Sequence, residues 1–177
     1  MISEFTLLVY SSAMQIVLSA LLTLASFAQQ QEVQQDAEIV LADAYKQAAE
    51  ENKNVFIELR ADWWGWCDIF EEFLGRDEVR LLLEKDLVIV QIDESGMLNG
   101  QAVCDRLKKD NPNLGMPWFV FTDANKNVLA DATGPNGNVG CPMMPEERDW
   151  FIDGVRKSRV NLSDTQIDAL KLMLHKY

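Results

Sequence analysis

Three cysteines, Cys67, Cys104 and Cys141, are the residues of this chain best suited to covalent chemistry. A thiolate is a strong nucleophile, and two thiols within reach of each other can cycle through a disulfide. An odd number leaves one without an internal partner, and a small buried hydrophobe is the common fate of a free cysteine. Cys67 ends the run Trp63-Trp64-Gly65-Trp66-Cys67, which follows the apolar segment Val55-Phe56-Ile57-Glu58-Leu59 with its one carboxylate. Cys104 sits among Ala102, Val103 and Leu107 at helical spacing and reads as core. Cys141 lies in a Gly- and Pro-rich stretch, Gly134 to Met144. His175 stands alone near the C-terminal end and reads as a surface residue. No His, Cys or carboxylate cluster has metal-site spacing and no Gly-rich phosphate loop follows a strand, so neither a metal nor a cofactor is expected.

The elements that must position these residues are legible from periodicity. Leu41, Ala44, Tyr45, Ala48 and Ala49 follow the spacing of an amphipathic helix, which Asn52-Lys53-Asn54 ends. Val55 to Leu59 has apolar neighbours on both faces, as a central strand does. Cys67 to Leu74 places Ile69, Phe70, Phe73 and Leu74 on one helical face, and Gly75 breaks it. Asp77 caps a short helix through Val79, Leu82 and Leu83, and Leu87 to Ile92 is a second buried strand. Leu98 to Lys109 reads as a helix closed by Asp110-Asn111-Pro112-Asn113. Trp118 to Thr122 is the third strand. The turn Asp123 to Asn127 separates it from Val128 to Thr133, so these two pair antiparallel. A loop from Gly134 to Met144 leads into a helix opened by Pro145, with Glu146 and Glu147 in its first turn. Ser163-Asp164-Thr165-Gln166 matches a capping box and starts a last helix. The order is helix, then βαβα, then ββα, with one helix appended.

Composition bounds the function classes. The 177 residues, 48% of them hydrophobic, suffice for one ordinary domain. A formal net charge of -12 opposes nucleic-acid binding, which needs clustered Lys and Arg. Residues 1–28 hold no Lys or Arg, one early Glu4, and an apolar run ending Leu24-Ala25-Ser26-Phe27-Ala28, with small residues Ser26 and Ala28 placed for cleavage. This segment reads as an export signal or, uncleaved, as a membrane anchor. Residues 29–36 read as a flexible linker. The expected location is periplasmic or secreted, with anchoring facing the periplasm as the alternative; a membrane partner follows only if the segment stays.

Asn54 to Cys67 resembles, without gaps, the strand-to-active-site pattern of the thioredoxin-like superfamily: apolar strand, buried acid, Ala, acid, Trp, Cys, Gly, x, Cys. It is most similar to secreted bacterial members with a Trp-Cys-Gly-Trp-Cys motif, except that Trp64 stands where the first cysteine belongs. Gly115-Met116-Pro117-Trp118 precedes the third strand, where that family carries its cis-proline loop. The resemblance spans about residues 37 to 158. It implies an α/β, three-layer fold, a central mixed sheet flanked by helices, with a thioredoxin-like domain over 37–160 and an extra C-terminal helix in 161–177.

In that family the first cysteine attacks as a thiolate and the second resolves the mixed disulfide. The resemblance gives Cys67 the resolving position and Glu58 the place of the buried acid that helps move its proton. Asp68 adds negative charge beside Cys67, which disfavours a thiolate. Trp63, Trp64, Gly65, Trp66, Met116 and Pro117 fall at the substrate surface, unless Trp63 and Trp118 are partly core and only Trp64 and Trp66 show. The topology brings the loop of Cys141 toward the active-site turn. Two functions stay open. One is a weakly active or inactive relative that binds protein or peptide partners, cysteine-containing ones among them. The other is a thiol-disulfide oxidoreductase using Cys67 alone or with Cys141.

Overall fold

Asn54–Arg60 (β1) runs through the middle of a four-stranded mixed sheet in the computed structural model, which describes residues 34–109 and 113–176. The segment read as signal or anchor, most of the linker and the helix stop at Asp110-Asn111-Pro112 lie outside the described residues. Strand β1 pairs in parallel with Leu87–Asp93 (β2), in register from Asn54 opposite Leu87 to Arg60 opposite Asp93. On its other side it pairs antiparallel with Trp118–Thr122 (β3), and β3 pairs antiparallel with Val128–Asp131 (β4), giving the order β2-β1-β3-β4. Having partners on both edges and helices on both faces, β1 is buried from Val55 to Leu59, Glu58 included.

The helices follow the periodicity. Ala37–Glu51 (α1) starts at Asp36, whose carboxylate accepts the Glu38 N–H at 2.9 Å, and ends at Asn52 in the left-handed region. It buries Leu41, Ala44, Tyr45 and Ala48 of the face expected from the spacing, while Ala49, expected with them, is exposed. Gly65–Gly75 (α2) and Asp77–Leu83 (α3) follow β1, and Gly100–Leu107 (α4) follows β2. Pro145–Lys157 (α5) and Asp164–His175 (α6) close the chain, the last with the Ser163/Gln166 capping box. Phe70 and Phe73 from α2 and Phe151 from α5 meet Phe56, Phe119 and Phe121 of the sheet at ring-centroid distances of 4.8 to 6.5 Å within that cluster. Side chains alternate along a strand, so Glu58 shares the face of Phe56 and points into the layer that α2 covers.

The C-terminal extension is docked on this domain by a buried acid. Asp86, just before β2, accepts the N–H groups of Val160, Asn161 and Leu162 at 2.7 to 2.8 Å.

Four expectations need correction. The helix read from Leu98 starts at Gly100: Leu98 is drawn instead into a bridge with Asp36, and a side chain at position 100 would meet the Asp93 carbonyl at 2.1 Å. The strand read as Val128 to Thr133 breaks after Asp131, whose carboxylate turns back to accept the Thr133 N–H. The following loop contains a two-stranded ribbon, Thr133–Gly134 (β5) with Gly137–Asn138 (β6). Within the linker, residues 34–36 are tied down: the Leu98 N–H donates to the Gln35 carbonyl, and Gln34 Nε2 to that of Gly96.

Candidate functional site

The turn after β1 begins where burial ends, with residues 62–66 exposed beyond the fully buried Ala61. Its carbonyl accepts the Trp64 N–H at 3.0 Å, and the Trp64 carbonyl accepts the Cys67 N–H at 2.9 Å. Trp64 is the extended residue that opens α2, without a side-chain cap. Its ring meets that of Trp63 edge-on at 5.8 Å. Trp63, Trp64 and Trp66 are 68%, 42% and 47% exposed, and Cys67 is 0% exposed. Trp118 belongs to the core at 2%, so of the two indoles held in doubt by sequence, Trp63 faces solvent and Trp118 does not.

Cys67 sits in the first turn of α2, where the helix dipole favours a thiolate. Burial outweighs that and pushes the thiol above its ordinary value; a bond to the Ala61 backbone and the Arg60 charge pull the other way, while Glu58 and Asp68 add to the rise. Glu58 accepts the Gln91 side-chain N–H at 2.9 Å on one oxygen, and its other oxygen has no hydrogen-bond partner among the described residues. Burial raises its carboxyl to about 7. The site therefore holds a neutral thiol near a fully buried acid that has only one of its two oxygens hydrogen-bonded.

Across from the turn, the Met116-Pro117 peptide is cis. Asn138 from β6 clasps this loop: its Nδ2 donates to the Gly115 carbonyl at 2.9 Å and the Pro117 carbonyl at 2.8 Å, while its Oδ1 accepts the Gly140 N–H. Gly140 packs so closely that a Cβ there would lie 1.5 Å from the Pro117 carbonyl oxygen. This juxtaposition carries Cys141 into a groove of about 390 Å³ shared with Trp64, Trp66, Met116 and Pro117. The Cys141 thiol is half-buried and free; burial pushes it up to about 12, with the charges of Glu147, Glu58 and Cys67 adding. A second hollow of about 280 Å³, lined by Trp63, Glu94, Lys108 and Leu114, also borders Trp64 and Met116. Cys104 is buried in α4, as expected of a core residue.

These observations place a Trp-bearing turn, a buried acid and a proline loop at one end of a mixed sheet. Residues 36–124 match the thioredoxin-like family. The chain belongs to that family. Over 87 residues it is 31% identical to the thiol:disulfide interchange protein DsbD of Actinobacillus pleuropneumoniae serotype 5b (strain L20), covering 49% of this chain. The chain spans only 14% of the length of that curated relative. Among solved structures, the disulphide isomerase from Xylella fastidiosa Temecula1 superposes with a TM-score of 0.53 at 16% identity, covering 81% of this chain and 94% of its own, a likeness of fold.

Several residues of this thioredoxin-like site escaped sequence reasoning. Arg60 ends β1 and meets Asp62, Glu71 and Asp68 at 2.6, 3.1 and 3.5 Å, so a single guanidinium holds the acids around the turn. Asn138 and Glu147 shape the groove wall through side-chain hydrogen bonds to the backbone of neighbouring loops. Only their place beside the proline loop marks them, and that place is a product of the fold. Among the described residues, no three of His, Cys, Asp and Glu converge to hold a metal ion.

Proposed function

We propose that this chain is an exported thioredoxin-like protein that binds extended polypeptide in the groove between Trp64, Trp66 and Met116-Pro117, with thiol-disulfide exchange weak or absent. The observation that carries this reading is the pairing of an indole at position 64 with a fully buried Cys67. In this register the attacking sulfur is missing, and the sulfur left behind is shielded and held protonated. Exposed indoles beside methionine and proline supply apolar contact area for an extended chain. Residues 1–28, with their apolar run and small residues at 26 and 28, support export to the periplasm or beyond.

A second reading is favoured by one observation, the presence of Cys141 in the same groove. In it, Cys141 attacks a partner disulfide and Cys67 resolves the mixed disulfide, leaving a Cys67–Cys141 bond and a partner dithiol. Such a bond needs Cα atoms within about 7 Å. Insulin reduction by the full protein, with Cys67→Ser and Cys141→Ser controls, separates the two. The binding reading expects no cysteine-dependent turnover, together with saturable quenching of tryptophan fluorescence by an unfolded, cysteine-free peptide. Turnover lost in either serine variant overturns it.

A further inference from the structure

Four sulfur-bearing residues line the groove: Cys141, Met116, Met143 and Met144. Three of the chain's seven methionines are gathered here. The loops that carry the sulfurs are also fastened. The Met143 N–H donates to the Cys141 carbonyl at 2.9 Å, and Glu147 Oε2 accepts both the Met143 and Met144 N–H groups, at 3.0 and 2.9 Å. Asn138 bonds the loop of Cys141 to that of Met116 through the Gly115 and Pro117 carbonyls. Cys141 and Met143 are thus presented opposite Met116 by hydrogen-bonded backbone.

We infer that this groove binds a soft monovalent cation of the Cu(I) class, held by the Cys141 thiolate and the Met116 and Met143 thioethers, with Met144 at the rim. Thiolate and thioether donors select such an ion over harder divalent metals. The charges also match. One thiolate and two neutral thioethers around a singly charged ion form a neutral centre, which a half-buried, indole-flanked groove accommodates without stranding a charge. A divalent ion would leave a net positive charge and would call for the His and carboxylate donors that do not converge among the described residues. On binding, the Cys141 S–H bond breaks, its proton passes to solvent and the sulfur–metal bond forms; no electrons are transferred. The site goes beyond the polypeptide-binding reading and does not depend on it, although both occupants use the same walls.

The test is an anaerobic titration of the reduced full-length protein with Ag(I), a redox-inert stand-in, followed by calorimetry, proton release and the fluorescence of Trp64 and Trp66. One ion per chain, one proton released and quenched tryptophan emission are expected. A Met116→Leu/Met143→Leu variant, nearly isosteric, should bind at least tenfold more weakly with unchanged near-UV dichroism, and Cys141→Ser should lose the site. Equal affinity in the double leucine variant, or retention of the site in Cys141→Ser, overturns the proposal. X-ray absorption of the Cu(I)-loaded native protein gives an answer that needs no variant: a shell of three sulfurs is expected, and nitrogen or oxygen scatterers, or a two-sulfur shell, overturns it. Peptide binding measured without metal reports separately on the polypeptide reading.

Discussion

Replacing Glu58 with glutamine isolates the cost of keeping an acid inside the sheet. Glu58 is fully buried, accepts one hydrogen bond from Gln91, and has its carboxyl raised from 4.5 to about 7 by burial. In the unfolded chain the group ionises near 4.5, so between that pH and 7 the folded state binds a proton that the unfolded state has lost. Stability from this group is therefore full below pH 4.5, falls as pH rises through the window, and stays low above 7. A rise of this size corresponds to about 3 kcal/mol, at about 1.4 kcal/mol per pH unit. Glu58→Gln removes the titration and retains an oxygen for Gln91. Urea unfolding of both proteins at pH 5, 6, 7 and 8, with m-values compared, should give curves that differ little at pH 5. By pH 8 they should separate by about 3 kcal/mol in favour of the variant. Titrating groups that do not interact with Glu58 cancel in the difference. A gap that stays constant from pH 5 to pH 8 would refute the claim that Glu58 enters the fold protonated.

Other outcomes follow from the same geometry. Alkylation of the native protein at pH 7.5, mapped by mass spectrometry, should be slow at all three cysteines. Cys67 and Cys104 are buried and Cys141 is pushed up to about 12, so Cys141, the half-buried one, should label first; fast labelling of Cys67 would contradict its shielding. Gly140→Ala drives a methyl into the Pro117 carbonyl and should cost about 3 kcal/mol in urea unfolding, with a changed tryptophan spectrum as the groove wall moves; a neutral variant would mean that this packing is not retained in solution. Asp86→Ala leaves the N–H groups of Val160, Asn161 and Leu162 without their acceptor and should cost about 3 kcal/mol or more. Hydrogen exchange should then quicken first in α6, and uniform loss of protection would argue against a local docking role.

Much of this was legible beforehand, for identifiable reasons. Strand β1 announces itself because both of its faces are buried, which forces a continuous apolar run, and the lone Glu58 within it stands out by the same logic. Helices α1 and α2 show their faces through Leu41, Ala44, Phe70 and Phe73, which recur at the helical period because one side meets the sheet. Signals fail where a segment's conformation is imposed by distant chain. Leu98 has helical neighbours but is drawn into a bridge with Asp36, and Gly100 begins α4 where the Asp93 carbonyl leaves no room for a side chain. A local contact can mislead as well: the run from Val128 to Thr133 reads as one strand, yet the Asp131 carboxylate, two residues away, accepts the Thr133 N–H and ends it early, which residue alternation does not register.

From its sequence alone this chain is committed to a mixed sheet between helices and to an indole at position 64, in the turn before α2. Apolar period and residue identity are local quantities, carried by neighbours a few positions apart. The expected topology already brought the Cys141 loop and Met116-Pro117 toward that indole, but the contacts that fix them there were settled only in three dimensions. Asn138, Gly140, Cys141 and Glu147 reach the groove because the antiparallel return through β3 and β4 brings their loop back against Pro117, and such pairing is a free energy shared among residues far apart along the chain.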